Sequence, residues 1–294
     1  MNKHNNNNNN KYKERMESSI YNIRLFHNMV KRELLTQTVE FLKNNYSLHT
    51  ITLLDLSCGK GGDLQKWYDN GITKVVGFDI DEPSITEANR RYKSLIDKLQ
   101  KKGIKSLPDY KFYVMDLSKE ENLAKISHIL SDEKFNIVSC QFALHYFFET
   151  EHILNTFLTI VRQYIKLDGF FITTTMNGKL MKESFLKGKP IQNDIFKIES
   201  KVPINELDSK FGNKYSVTLG KKTDTDHYFA GRTLDEYLVD IDVLKDACKK
   251  KQLMFIAMTE FSEWYYNIGK NNLNKMEQQF SFLNFSIIFT HKNI

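Results

Sequence analysis

Ile51-Thr-Leu-Leu-Asp55-Leu-Ser-Cys-Gly59-Lys60-Gly61-Gly62-Asp63-Leu64 is the stretch whose reading decides the fold. The apolar and β-branched run Ile51 to Leu54 reads as a buried strand with an acid, Asp55, near its end. A glycine-bearing turn follows, and Asp63-Leu-Gln-Lys-Trp67-Tyr68 reads as the opening of a helix. Glycine at 59, 61 and 62 permits positive φ and lets a ligand lie against bare backbone. Strand, tight turn and helix N-terminus together form the nucleotide-binding corner of a doubly wound sheet.

The ligand class follows from what the corner lacks. A dinucleotide fingerprint asks for a third glycine three places after the second, and Leu64 stands there, which disfavours a dehydrogenase. An acid just before the turn suits S-adenosylmethionine, because it meets the ligand's ammonium and there is no phosphate to repel. A glycine turn by itself reads equally well as a plain αβ connection. Asp55 before it and Asp79 after the next strand favour the S-adenosylmethionine reading.

The chain has 294 residues, enough for one large α/β domain or a domain with a lid. Lysine and arginine number 42 against 36 acids, a net charge of +6. This mild basic bias permits a polyanionic partner, although solvated lysines explain it as well. Cys58, Cys140 and Cys248 are too widely spread for a zinc pattern or a disulfide framework, so a reducing compartment and no metal are expected. There is no apolar run of membrane-spanning length and no signal-peptide core, so a soluble, intracellular protein with no membrane partner is expected. Residues 1–19, with the run Asn5 to Asn10, read as a disordered tail, and 20–294 as a single domain.

Within that domain, residues 20–50 form an N-terminal helical segment. The spacing of Leu34, Leu35, Val39 and Leu42 predicts a helix over Glu33 to Leu42. This is either a packing helix or one whose Asn28 and Lys31, at i and i+3, overhang a ligand. Lys74 to Asp81 reads as the second strand, with Asp79 placed to accept hydrogen bonds from ribose hydroxyls. Pro83 and the run Ile85 to Leu99 read as a helix carrying Arg90 and Arg91, exposed or facing a ligand. Lys111 to Asp116 reads as the third strand, and Asp116 as either an adenine contact or a helix N-cap. Phe135 to Gln141 reads as the fourth strand, with His145 just beyond its carboxyl end, a candidate site residue or a satisfied core histidine. A helix from Glu151 to Ile165, a turn at Asp168-Gly169 and a strand from Phe170 to Thr175 complete five β/α units. Beyond Asn177 short segments punctuated by Lys, Gly and Asn read as a lid or insert over 177–270. A helix at Val243 to Lys251 and strands at Met254 to Thr259 and Phe285 to Thr290 are expected to close the sheet.

Four motifs carry a family resemblance: Phe26-His-Asn28-Met-Val-Lys31, Leu53 through Leu64, Gln141-Phe-Ala-Leu-His145-Tyr146, and Leu234-Asp-Glu236-Tyr-Leu-Val. Together they resemble the eukaryotic mRNA cap guanine-N7 methyltransferases, from about Ile20 to the C-terminus. The resemblance implies a Rossmann-like class I S-adenosylmethionine-dependent α/β fold, with a mostly parallel seven-stranded sheet and a lid in the C-terminal half. It implies in-line methyl transfer to N7 of the terminal guanosine of GpppN-capped mRNA, with no residue acting as acid or base and with His145 and Glu236 positioning the substrate. S-Adenosylmethionine would be held by Lys31, Ser57, Asp79, Asp116, Gln141 and Tyr146, joined by Asp55 and Gly59 of the turn. The cap would meet His27, Asn28, Lys60, Asp63, Arg91, His145 and Glu236, with Phe285 or Ser286 covering it. Nuclear residence is implied, as are partners such as RNA guanylyltransferase/triphosphatase or the RNA polymerase II machinery.

Three departures from the family pattern matter. Ser57 stands where the family has glycine, so the turn must keep φ negative there or carry strain. Phe285 or Ser286 replaces a cap-covering tyrosine. Lys221 to Arg232 reads as a loop longer than usual. A small-molecule methyltransferase and a non-catalytic cap- or RNA-binding module are the rival readings.

Overall fold

The computed structural model describes residues 18–221, 231–269 and 272–292. The Asn-rich tail expected over 1–19 and the long loop expected over Lys221 to Arg232 therefore lie almost wholly outside the described residues. In chain order the elements are α1 (Tyr21–Tyr46), β1 (Ile51–Leu56), α2 (Leu64–Asp69), β2 (Ile72–Asp79), α3 (Glu82–Lys101), β3 (Asp109–Val114), α4 (Leu123–Leu130), β4 (Phe135–Gln141), α5 (Glu151–Tyr164) and β5 (Ile165–Met176). Then come α6 (Gly178–Phe185), β6 (Ile191–Asn193), β7 (Phe196–Ser200), β8 (Lys214–Leu219), β9 (Thr233–Tyr237), α7 (Ile241–Lys250), β10 (Leu253–Glu260), α8 (Phe261–Ile268), α9 (Lys275–Ser281) and β11 (Asn284–His291).

These elements gather into two compact units. One comprises residues 31–175, 242–258 and 286–294, and the other 1–30, 176–241 and 259–285.

The first unit is built on the expected seven-stranded sheet, ordered β10-β11-β5-β4-β1-β2-β3. β1 runs parallel to both β2 and β4, β2 to β3, and β4 to β5. The strand order reverses between β1 and β4, so their carboxyl ends form the topological switch point where such sheets bind ligands. Leu53, Leu54, Leu56, Ile137, Val138 and Cys140 are all fully buried, as helices on both faces of a parallel sheet require.

The turn at Asp168-Gly169 is not a turn between elements. β5 starts at Ile165 and runs through it, and its register against β4 jumps from Phe135↔Ile165 to Ile137↔Phe170. Asp168, at φ +58°, sits in the resulting bulge. The first helix is also longer than the stripe from Leu34 predicts, because Ile23, Phe26 and Val30 extend the same buried spacing to its N-terminus.

The second unit holds an antiparallel sheet in the order β6-β7-β8-β9, which the sequence pattern leaves as an undivided insert. The pattern also leaves α8 and α9 unmarked. The start of α9 nevertheless carries a local signal: Asn274 and Glu277 form a reciprocal capping box. Within this unit β8 and β9 pair so that Tyr215 stands opposite Glu236.

The turn after β1 takes the strained option. Ser57 adopts φ +113°, while its amide and that of Cys58 both donate to the carbonyl of Phe78 at 2.9 Å. An L side chain in that region costs about 1–3 kcal/mol, against about 0.5–1 kcal/mol for glycine's extra unfolded-state freedom. Ser57→Gly is therefore expected to stabilise the protein by about 1 kcal/mol. Chemical denaturation checks this, and a lowered midpoint would show that the serine side chain holds the turn together.

Candidate functional site

The first strand delivers a carboxylate with no described partner to the switch point. Asp55 is 2% exposed, and its Oδ1 makes no hydrogen bond among the described residues. Burial is the main cause pushing its carboxyl well above the usual range; Asp63 and Asp79 add to this and Lys31 opposes it. A buried polar atom without a partner is rare and costly, and in a cleft it marks a ligand position. The complementary ligand group is a hydrogen-bond donor, an ammonium being one that also offsets the acid's charge. In the turn beyond it, a Cβ on Gly61 would lie 2.8 Å from Leu64 Cδ1, whereas one on Gly59 would meet only open space. Gly61 is thus fixed by packing, and Gly59 leaves bare backbone accessible.

Asp79 ties this turn to the second strand. Its Oδ2 accepts from the Gly59 amide at 2.7 Å and its Oδ1 from the Asp81 amide at 3.0 Å. Ile80, the next residue, is 65% exposed, and the register places Val114, also exposed, beside Asp79 on β3. Neither is singled out by the sequence pattern, although an apolar residue directly after a strand-ending acid is visible in it. Asp116 lies two residues past β3. Its Oδ1 accepts from the amide and hydroxyl of Ser118 at 2.9 and 2.6 Å, an Asx turn and not a helix N-cap.

At the end of β4 the side-chain amide of Gln141 is used as a strut. It donates to Ser139 Oγ at 3.1 Å and to the Ile172 carbonyl at 3.2 Å, and its Oε1 accepts from Thr174 Oγ1 at 3.1 Å. Phe142 follows at φ +55°, its amide donating to the Thr174 carbonyl and hydroxyl. That sharp exit leads into a short 3-10 segment, Leu144–Phe148, in which His145 is buried and Tyr146 exposed. Their rings meet edge to face at 4.2 Å.

Lys31 and Asp63, assigned to different ligands by the family resemblance, are bonded to each other. Lys31 Nζ donates to Asp63 Oδ2 at 2.9 Å, and Lys66 Nζ to Oδ1 at 2.7 Å. Burial alone would raise the Asp63 carboxyl, but the two lysines hold it well below its ordinary value. Burial in turn pulls the Lys66 ammonium down, against the attraction of Asp63. Lys66 escapes sequence reasoning, since its position on the first turn of α2 reads as solvated. Arg91 donates through Nε to Glu87 at 2.7 Å, and Arg90 grips the same carboxylate. Hydrogen bonding from Arg90 is the main cause holding Glu87 down to about 2, and Arg91 adds to it. Lys60 is exposed in the turn.

His27, Asn28, Glu236 and Phe285 belong to the second unit. His27 stacks on Phe280 with centroids 6.1 Å apart, meets Phe261 edge-on at 5.1 Å, and lies 3.1 Å from Ser281 Oγ through Nε2. Its ring is thus part of an aromatic core. Asn28 is exposed and donates back to the Arg24 carbonyl at 2.8 Å. Glu236 is 6% exposed, and the Tyr215 hydroxyl donates to its Oε2 at 2.5 Å. Neither candidate for covering the cap is placed to do so. Phe285 is 1% exposed and Ser286 is buried beside it, because both lie in the closing strand. Among the described residues no group of His, Cys, Asp and Glu could hold a metal, and no helix is long and apolar enough to cross a membrane.

Comparison with known proteins adds an independent line. A sequence model of the mRNA (guanine-N(7))-methyltransferase domain matches residues 1–284. The chain is 28% identical to the mRNA cap guanine-N(7) methyltransferase of Drosophila melanogaster, over 89% of this chain and 59% of that protein. It is 33% identical to the protein of the same name from Caenorhabditis elegans, over 77% of this chain and 59% of that one. A probable mRNA-capping enzyme of Acanthamoeba polyphaga mimivirus is 26% identical over 92% of this chain but only 24% of its own length. The chain thus spans about three-fifths of its fly and nematode relatives. Among solved structures, a methyltransferase from Clostridium acetobutylicum that depends on S-adenosylmethionine aligns with a TM-score of 0.53, at 13% identity, over 89% of this chain and 92% of that one. One from Methanosarcina mazei gives 0.53 at 15% identity, over 86% and 98%. At such identities these two similarities establish the fold.

Two stability predictions follow from the carboxylates. Asp63→Asn is expected to cost about 3–5 kcal/mol in chemical denaturation, because it leaves two largely buried lysines facing each other without their anion. Asp55 has a higher pKa folded than unfolded. Its contribution to stability is therefore full below about pH 4 and is lost as pH rises through the raised folded value. Ligand-free Asp55→Asn is expected to melt above the parent at pH 7, with the difference closing as pH falls toward about 4. Melting curves across that range check the sign.

Proposed function

We propose, for a chain that belongs to the mRNA (guanine-N(7))-methyltransferase family, that it transfers a methyl group from S-adenosylmethionine to N7 of the terminal guanosine of GpppN-capped RNA. The observation that carries this reading is Asp55, a buried carboxylate at the switch point whose Oδ1 has no described partner, beside a glycine turn pinned by Asp79. A cofactor that presents an ammonium, two ribose hydroxyls and a flat base fits that donor set. Asp55 takes the ammonium, Asp79 the ribose, and exposed Ile80 and Val114 offer an apolar surface to the base. Asp116 and Tyr146 complete that side. Gln141 acts through its backbone, since its amide is committed to β5. Ser57 and Gly59 line the turn, and Lys31 serves by holding Asp63.

When bound, the cofactor supplies an electrophilic methyl on a sulfonium. Guanine N7 bears a lone pair and no proton, so no residue is required as a base. What the protein must supply is position and electrostatic complementarity. Glu236 accepts from guanine N1–H and the exocyclic amine, rejecting adenine, with Tyr215 fixing one of its oxygens. His145 meets O6 or the sugar, and Asn28 belongs to the same cap-reading set. Lys60 and Arg91 meet the triphosphate. His27 acts through its contacts with Phe261, Phe280 and Ser281, on the cap-reading helix. The region 177–270 is assigned to the cap side, and nuclear residence and a partner with RNA guanylyltransferase/triphosphatase activity are assigned on the family resemblance alone.

The test is methyl transfer from labelled S-adenosylmethionine to GpppA- and GpppG-ended short RNA, with ApppG-ended RNA as the control. Label recovered as 7-methylguanosine from the guanosine caps alone is the expected result. Cofactor binding with no transfer to any capped RNA, or transfer to small metabolites, would overturn the substrate assignment. Glu236→Gln is expected to lower transfer about 100-fold or more, the cost of an unpaired buried group, while cofactor affinity stays within about twofold. Equal loss of both would remove Glu236 from guanine recognition.

A further inference from the structure

We infer that β10 is a docking strand, and that its occupant is β10 of a second copy of this chain paired antiparallel about Ile256. β10 forms one edge of the seven-stranded sheet. Its sequence, Leu253-Met-Phe-Ile-Ala-Met-Thr-Glu260, has no proline, no glycine and no charge before its last residue. Met254, Phe255, Ile256 and Met258 are 42, 39, 49 and 37% exposed. Soluble proteins blunt exposed edges with lysine, proline or short length, and an edge this long and apolar is a template for another strand.

The two faces of the strand are distinguishable. The Phe255 ring meets Phe289 at 5.9 Å, Phe289 stacks on Phe171 at 6.0 Å, and Phe171 meets Phe157 of α5 at 6.0 Å. Phe255 therefore lies on the α5 side, where Lys245 Nζ sits 4.1 Å from its ring centroid and shields it. Strand alternation puts Met254, Ile256 and Met258 together on the other face, as one apolar row.

Charge selects the occupant and its direction. Lys249, Lys250 and Lys251 stand one residue, Gln252, ahead of β10, and Glu260 ends it. Antiparallel pairing about Ile256 sets Ile256 against itself, Met254 against Met258 and Phe255 against Ala257. It also brings Glu260 of each copy to the lysine-rich end of the other. Parallel pairing would set lysine against lysine. A one-residue slip would turn the apolar row of one copy to the opposite face from its partner's. The two-fold arrangement alone satisfies both the apolar row and the charges, and it makes the contact isologous and closed.

Two experiments on the full chain test this. In sedimentation velocity from about 1 to about 100 µM, the unmodified protein is expected to shift from monomer toward dimer, and Ile256→Lys to remain monomeric throughout. The three native cysteines are buried, so introduced thiols report geometry. Ile256→Cys is expected to form a disulfide-linked dimer on mild oxidation. Met254→Cys alone is expected not to, whereas Met254→Cys mixed with Met258→Cys should cross-link. A monomer at every concentration, or cross-linking of Met254→Cys alone as fast as Ile256→Cys, would overturn the proposal. Should Ile256→Lys fail to fold, the cysteine pattern decides by itself.

Discussion

An acidic side chain kept away from water at the carboxyl end of the central strand is the constraint around which this half of the molecule is arranged. Asp63 and Asp79 both act electrostatically on Asp55, and an uncompensated buried carboxylate costs several kcal/mol. The fold deals with them unequally. Asp63 receives two lysines, one from α1 and one from its own helix. Asp79 receives two backbone amides. Asp55 receives neither, and of the charges acting on it Lys31, already bonded to Asp63, is the one that opposes its burial. Compensating two acids and leaving the third is what, on the proposed reading, makes this strand end available to the cofactor's ammonium. The strained Ser57 goes with the same turn, whose first two amides both donate to the Phe78 carbonyl.

How far the sequence reveals this depends on whether a feature is local. β1, β2 and β4 are legible because central parallel strands are buried on both faces and read as continuous apolar runs. The positions of Asp55 and Asp79 are legible because an acid at or near a strand's end is a local pattern, and Asp116, two residues past β3, follows the same pattern loosely. The antiparallel sheet is not. In Lys214-Tyr-Ser-Val-Thr-Leu219 only alternate residues need be apolar, β6 has three residues, and both resemble punctuated loop. Partnerships are the least legible. Tyr215 meets Glu236 across 21 positions because of strand register, Lys31 meets Asp63 across 32 because α1 packs on the sheet, and no spacing rule encodes either.

Family resemblance and local geometry divide the motif residues in an instructive way. His27 and Phe285 lie within motifs or positions that suggest ligand contact, yet one ring sits in an aromatic cluster and the other in the sheet core. Gln141 likewise spends its whole side chain on β4 and β5. Packing or strut duty can thus occupy a residue that lies within a motif as fully as ligand contact would. On the proposed reading, the contacts that remain include strand ends (Asp55, Asp79), a paired strand (Glu236) and helices (Asn28, Arg91), regular elements whose rigidity gives precision, with Lys60 in the turn an exception.

On the proposed reading, Arg91 shows how such precision is set in advance. Its guanidinium is held through Nε by Glu87, which Arg90 also grips, and a planar fork anchored at one edge presents its other donors in a fixed plane. A phosphate arriving there loses less ordering entropy than it would with an untethered side chain. Two arginines around one glutamate leave the cluster with net positive charge, so the pairing orients the site without neutralising it. The carboxylate is thus a scaffold for the cation it holds, the same relation that Tyr215 bears to Glu236 with the charges exchanged for a neutral donor and an acid.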